Sequence, residues 1–268
     1  MYSRKTPPDF RFLFIRHAEA ESSKQPELIG GGKDDTSLTE LGRRQAQALG
    51  KKCIRDNTRF DRLYVTPHSR GQDTATHMLA AMSSLDGEWY KKWHTTENHQ
   101  VIRTTPQIGE IRRGEWQGQK RDAVMNAQIQ LYQSKMAREF CYPGGESQRM
   151  VAMRALNWLM TDIILNLEFA DYPKPVTIGI ITHGVIIKTL LVDLCGLDTN
   201  IHHKIPLANC GITELTFKIP SAETTQLGIP ESELGWTLIT INDDSVKYFL
   251  EPEYRSGTIP AILQPKKK

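Results

Sequence analysis

Residues 12–21 read FLFIRHAEAE. Four apolar side chains run into Arg16 and His17, and the chain then turns acidic. Apolar, β-branched and aromatic side chains in a short run are the mark of a buried strand. An Arg-His pair is a poor ending for such a strand unless that end opens onto something. In open α/β sheets, ligands sit outside the carboxyl ends of the strands. The stretch therefore predicts a central strand over 10–15 that delivers Arg16 and His17 to a site.

Two further stretches repeat this pattern. DRLYVTP at 61–67 reads as a strand stopped by Pro67, and it leads through TPHSR to Arg70. PVTIGIITH at 175–183 is an apolar strand ending in His183. Helical segments alternate with these strands. TSLTELGRRQAQALGKKCI starts with Thr39 as a plausible N-cap and puts Leu41, Leu49 and Cys53 on one face. RGQDTATHMLAAM, QRMVAMRALNWLMTDIILNL (with Ser147 as cap) and GVIIKTLLVDLCG read as three more helices. A polar helix is expected over about 119–138, and 85–117 reads as irregular. GITELTFKI and WTLITIND alternate and are expected to pair as late strands, with SVKYFL as a third. Alternation of strand and helix predicts βαβ units and a three-layer α/β/α fold with a largely parallel central sheet. No internal repeat and no long linker divides the chain. One domain over 1–268 is expected, with residues 85–150 as a cap or insertion beside the sheet.

Composition narrows the function. The net charge of +3 equals the charge of the terminal Lys266, Lys267 and Lys268, so the body is near neutral. That argues against a general nucleic-acid binder, and any anion site must be a local cluster of cations. Cys53, Cys141, Cys195 and Cys210 have no CxxC spacing, so a zinc site is not expected and they read as reduced core residues. MYSRKTPPDF lacks the apolar region of a secretory signal, and no apolar run is long enough to span a membrane. The expectation is a cytoplasmic enzyme or binding protein. IGGGKDD at 29–35 lacks the Walker lysine spacing and reads as a flexible loop.

The residues at these strand ends resemble a known family. RHAEA at 16–20, TPHSRGQDTA at 66–75, GEIRRGEWQG at 109–118, PGGES at 143–147 and THG at 182–184 are similar to segments of the histidine phosphatase superfamily, branch 1, which has the phosphoglycerate mutase-like fold. LTELGRRQA at 38–46 and LANCGITEL at 207–215 fit the same order, so the resemblance covers roughly 10–220.

The resemblance implies a phosphohistidine intermediate on His17. Phosphoryl transfer needs positioning and charge stabilisation around three equatorial oxygens. Arg16 and Arg70 carry planar forks that match those oxygens, and His183 adds a donor when protonated. Neutral imidazole is available near pH 7 as a nucleophile. Glu110 aligns with the family's acid, which protonates the leaving oxygen and then activates water; Glu115 is the runner-up. Glu19, Arg112, Arg113 and Asn209 are candidate substrate contacts. Arginines do the work of Mg²⁺ in this scheme, so neither metal nor cofactor is expected. Ala18, Glu19 and Ala20 depart from the family's usual Gly, acidic or amide residue, and Ser or Thr, and Ala20 removes a hydroxyl that could bond the phosphate. The Trp-Asn pair of the mutases is replaced by ESSKQ, and RRGEWQG lacks the Tyr that mutases carry after the Arg. These departures favour a metal-independent phosphatase acting on a phosphorylated small molecule or phosphoprotein. The alternatives are a phosphoglycerate or bisphosphoglycerate mutase and a catalytically silent phosphate-binding or scaffold protein.

Overall fold

Strand β1 (Phe10–Arg16) alternates between two faces. Phe10, Phe12 and Phe14 belong to one buried cluster, and Leu13 and Ile15 to another. A strand buried on both sides needs a layer of helices on each side. In a computed structural model, the chain supplies both. The structure describes residues 8–94, 102–126, 129–130, 136–169, 175–199, 204–218 and 235–250.

The described elements in chain order are β1, α1 (Glu40–Arg55), β2 (Arg62–Val65), α2 (Ser69–Leu85), α3 (Gly87–His94), β3 (Ile102–Thr104), α4 (Arg121–Val124), α5 (Gln148–Trp158), β4 (Val176–Thr182), α6 (Gly184–Leu194), β5 (Ile212–Lys218) and β6 (Gly235–Asp243). The six strands form one sheet in the order β3-β2-β4-β1-β5-β6. β1, β2, β3 and β4 are mutually parallel. β5 runs antiparallel to both β1 and β6. The sheet is thus largely parallel, as the alternation of elements predicts.

α1 and α2 pack together over Leu13, Ile15, Leu63 and Val65. α5 and α6 cover Phe10, Phe12, Phe14, Ile178 and Ile180. Full burial of such side chains stabilises the fold by about 1.5–3 kcal/mol each. The Phe12 ring also meets Trp236 of β6, with centroids 5.2 Å apart. Thr39 caps α1, its Oγ1 accepting from the Gly42 amide at 2.9 Å. Ser147 caps α5 through the Met150 amide at 3.2 Å.

Several expectations need correction. The buried face of α1 carries Gly42, Ala46, Leu49 and Cys53, while Leu41 is half-exposed. A Cβ at residue 42 would lie 2.0 Å from the Glu19 carbonyl oxygen, so Gly42 lets the helix rest on the backbone just after His17. Residues 85–117 are not all irregular: they hold α3 and β3, and β3 joins the sheet edge beside β2. Of the helix expected over about 119–138, the described part contains the single turn α4, a break at 125–126, helical residues at 129–130 and 136, and a 3₁₀ turn at Ala137–Glu139; residues 127–128 and 131–135 lie outside the described residues. α5 is helical as expected, but Leu159–Ile164 continues it as a π-helix. Residues 245–249 form a 3₁₀ turn rather than a strand, burying Val246 against the α1 side. All four cysteines are free; Cys53 and Cys210 are buried, but Cys141 is exposed and is no core residue. The terminal lysines lie outside the described residues.

Candidate active site

Three strand ends converge. The β1 register places Arg16 opposite Thr182, and the His17 amide donates to the Thr182 carbonyl at 2.9 Å. The turn before β5 closes the other side. Cys210 N donates to the Arg16 carbonyl at 2.9 Å, and Arg16 N to the Gly211 carbonyl at 3.2 Å. Asn209 Nδ2 donates to the His17 carbonyl at 2.9 Å. The backbone that carries Arg16 and His17 is therefore held from both neighbouring strands.

A cleft of about 400 Å³ opens at this edge, lined in part by Arg16, His17, Glu110, Arg113, Tyr142 and Lys188. The His17 and His183 rings stand 5.0 Å apart, centroid to centroid. Arg16 Nη1 donates to the Leu207 carbonyl at 2.5 Å, and its Nε is buried with no partner among the described residues. Arg70 is buried at the start of α2, and its Nη1 donates to the Asp34 carbonyl. A helix N-terminus such as that of α2 can bind an anion. Here the Asp35 carboxylate accepts from the Ser69 amide at 2.5 Å. That bond holds the Asp35 carboxyl below its usual range.

His17 Nδ1 lies 2.7 Å from the Ala18 carbonyl oxygen. A carbonyl only accepts, so Nδ1 carries the hydrogen. In the neutral ring, Nε2 then holds a free lone pair. Burial first, and then the charges of His183, Arg16 and Arg70, push the His17 pKa well below its ordinary value. Burial and these neighbouring charges therefore keep His17 neutral near pH 7. His183 is fully buried and its pKa is pushed down in the same way, by burial and then by Arg70, His68 and Arg16. An imidazolium donor at His183 is thus not the resting state, and an arriving anion would oppose each of the charges that suppresses it.

Glu110 Oε1 accepts from the Ile111 amide at 2.9 Å, which leaves Oε2 free, 3.6 Å from His183 Nδ1. Glu110, His17 and His183 are therefore brought together. Glu115 is exposed and does not line the cleft. Arg113 lines the cleft, its guanidinium 5.7 Å over the Tyr142 ring and its Nη1 donating to Gly30 at 3.2 Å. The other candidate contacts are committed elsewhere. Glu19 Oε1 accepts from Thr39 Oγ1 at 2.8 Å, at the start of α1. Arg112 is 63% exposed and pairs with Glu146 at 3.2 Å. The Asn209 side chain serves the His17 backbone.

Sequence reasoning passed over several residues that shape this site. Glu146, 3% exposed, accepts from the Arg112 amide at 3.0 Å and from Arg154 Nε at 3.0 Å. Arg154 also donates to the carbonyls of Gln107 and Gly109, the latter at 2.7 Å, and so grips the segment leading to Glu110. Gly114 follows with φ +53; a Cβ there would lie 1.9 Å from the Pro143 carbonyl oxygen, so only glycine lets the two loops meet. Glu146 stood in the quoted PGGES, but Arg154, one of several arginines on polar helix faces, gave no signal. Lys188, on the first turns of α6, also lines the cleft. Among the described residues no group of His, Cys, Asp and Glu has the arrangement to hold a metal ion, and no helix is long and apolar enough to cross a membrane.

Known proteins share both sequence and fold with this chain. The family model of the histidine phosphatase superfamily (branch 1) matches residues 12–228. A 2,3-bisphosphoglycerate-dependent phosphoglycerate mutase of Bartonella henselae is 28% identical over 191 residues, 70% of this chain and 82% of its own. A mutase of the same description from Gloeobacter violaceus is 25% identical over 202 residues, 74% of this chain and 81% of its own. Among solved structures, a mycobacterial glucosyl-3-phosphoglycerate phosphatase superposes with TM-score 0.62 at 20% identity, covering 87% of this chain and 98% of that one. A phosphoserine phosphatase variant from Entamoeba histolytica gives 0.60 at 22% identity, covering 88% and 98%. At those identities the structures speak for the fold alone. The family match spans β1 to β5 and contains every strand end that builds the cleft, and on that basis the chain belongs to branch 1 of the histidine phosphatase superfamily.

Proposed function

We propose that this protein is a metal-independent phosphatase that hydrolyses a phosphate monoester through a phosphohistidine on His17. The observation that carries the reading is the state of His17: neutral, with Nδ1 committed to Ala18 and a lone pair on Nε2, beside Arg16, Glu110 and His183. In the first step Nε2 forms a bond to phosphorus as the ester P–O bond breaks. Arg16, Arg70 and protonated His183 stabilise the equatorial oxygens, and Glu110 gives the leaving oxygen a proton. In the second step Glu110 takes a proton from water. The water oxygen bonds to phosphorus, the P–N bond breaks, and phosphate leaves His17 free.

The cleft volume suits a small molecule. Arg113 and Lys188 line it without a carboxylate partner among the described residues. Burial pushes the Lys188 pKa down, with Arg16 adding to the effect. Unpaired, partly buried cations are costly. A substrate with a second anionic group would remove that cost. The second reading is a mutase, favoured by the names of the curated relatives. Hydrolysis is preferred because the Trp-Asn pair and the Tyr of the mutase segments are missing.

The test is partition of the phosphoryl group. The protein is incubated with p-nitrophenyl phosphate, and then with 3-phosphoglycerate plus its bisphosphate, with and without EDTA. Release of inorganic phosphate, unaffected by EDTA, is expected to dominate. Transfer to phosphoglycerate without net phosphate release would establish the mutase instead. No reaction on any ester would leave a binding protein.

A further inference from the structure

The proposed chemistry does not use His68. Its imidazole nevertheless lies between the loop at 29–35 and His183. His68 Nε2 is 2.9 Å from the Gly32 carbonyl oxygen, and Nδ1 is 2.9 Å from Thr66 Oγ1. Thr66 Oγ1 is in turn 2.9 Å from His183 Nε2. The His68 and His183 rings meet edge to face with centroids 4.8 Å apart.

The direction of each bond follows from the first. The Gly32 carbonyl only accepts, so His68 Nε2 carries a hydrogen. In neutral His68, Nδ1 is then a lone pair and accepts the Thr66 hydroxyl hydrogen. Thr66 has no second hydrogen, so its oxygen accepts from His183, and His183 Nε2 must be protonated. The remaining nitrogen, His183 Nδ1, is buried with no hydrogen-bond partner among the described residues, 3.6 Å from Glu110 Oε2. A hydrogen on Nδ1 would be free to point at that carboxylate. The chain of bonds instead leaves the Nδ1 lone pair facing Glu110 Oε2.

We infer that His68 is a positioning residue: through Thr66 it fixes neutral His183 as the Nε2–H tautomer, so that the nitrogen facing Glu110 gains a hydrogen only when the ring becomes imidazolium. Binding of a tetrahedral dianion is thereby linked to uptake of one proton from the buffer onto Nδ1. The kinetic importance of this link rests on the phosphatase reading; the tautomer and the linkage do not.

Two near-isosteric variants separate the two bonds of His68. Asn places its amide oxygen near the position of Nδ1 and keeps the acceptor for Thr66. Gln places its amide nitrogen near the position of Nε2 and keeps the tie to Gly32. Leu keeps neither. Without an acceptor at His68, the Thr66 hydroxyl is free to turn and donate to His183 Nε2, which moves the ring hydrogen to Nδ1. Sulfate is the probe, because it remains a dianion across the working range. In the wild-type protein and His68→Asn, sulfate binding should weaken with rising pH by up to about tenfold per unit for this linked proton. In His68→Gln and His68→Leu the dependence should be shallower by about one proton. Arg16, His17, Arg70, Glu110 and Arg154 also face His183, and Asp35 faces His68, but all are unchanged in every variant. A shallow slope for His68→Asn, or equal slopes for all four proteins, would overturn the inference. The wild-type protein supplies an independent check. The two-bond ¹H–¹⁵N spectrum should place the hydrogen of neutral His183 on Nε2, and a hydrogen on Nδ1 would overturn the relay even if every variant failed to fold. Neither readout needs turnover, so loss of the phosphatase reading leaves both intact.

Discussion

Glu110 and His17 are prepared for complementary work by what their second heteroatoms already do. His17 Nδ1 is bonded to Ala18, and Glu110 Oε1 to the Ile111 amide, so one atom of each remains for chemistry. If Glu110 Oε2 delivers the proton, its loss matters most where the leaving group is a strong base. An alkyl phosphate leaves as an alkoxide and needs that proton, whereas p-nitrophenolate departs without one. General acid catalysis contributes about 10²–10⁴-fold, or roughly 3–5 kcal/mol of barrier. Glu110→Gln should therefore cut hydrolysis of an alkyl phosphate by about that factor. The phosphorylation burst with p-nitrophenyl phosphate should fall much less and be followed by slow turnover, because water activation is lost too. Rapid-quench measurement of both substrates checks this, and equal losses in the burst would remove Glu110 from the acid role. At this scale the sequence was informative where a side chain ends a strand: Arg16, His17 and His183 lie where strand ends predicted them. It was silent on Thr66 and His68 as partners, although both stood in TPHSR, because hydrogen-bond direction depends on the Gly32 carbonyl reaching over from a loop 36 residues away.

Among the elements, α5 does more than cover the sheet. Arg154 projects from it to the buried carboxylate of Glu146 and to the backbone carbonyls of Gln107 and Gly109. It thus joins a helix, the PGGES turn and the Glu110 segment. A lysine keeps the charge but cannot fork across these acceptors. Arg154→Lys should lower hydrolysis of an alkyl phosphate by about 10- to 100-fold, the size expected for a small misplacement of a reacting group. Arg154→Ala should also lower stability in urea titration by about 3–5 kcal/mol, because Glu146 would keep only the exposed Arg112. Full activity in Arg154→Lys would show that the Glu110 segment holds its position unaided. Periodicity made α1, α2, α5 and α6 readable because each has a long buried face. It did not resolve β3, which has three residues, or set off α4, which has four, because both are too short for any repeat to register. It also failed for 245–249, where a single buried Val246 gives no period.

For the molecule as a whole, the sheet order explains why residues so far apart in sequence share one cleft. β1 and β4 lie side by side in parallel, so their carboxyl ends bring Arg16 and His17 next to His183, and β2 adds Thr66 and the start of α2 from the adjoining position. The alternation of strands and helices was enough to predict a largely parallel sheet, since parallel neighbours require crossover helices, but not the order of its strands. What the alternation did not disclose is the polarity of the loops above the sheet edge. The loop at 29–35 contributes the Gly32 and Asp34 carbonyls and the Asp35 carboxylate to that edge, and its glycines read only as flexibility. The central claim is that this shared edge makes a nucleophile of His17. The direct measurement is intact-protein and peptide mass analysis after rapid quenching during turnover of p-nitrophenyl phosphate. A single phosphoryl group should appear on His17, labile in acid and stable in base, forming as fast as p-nitrophenol is released and absent in His17→Ala, which should also lose turnover. Near-normal turnover in His17→Ala, or a phosphoryl group on another residue, would contradict the account.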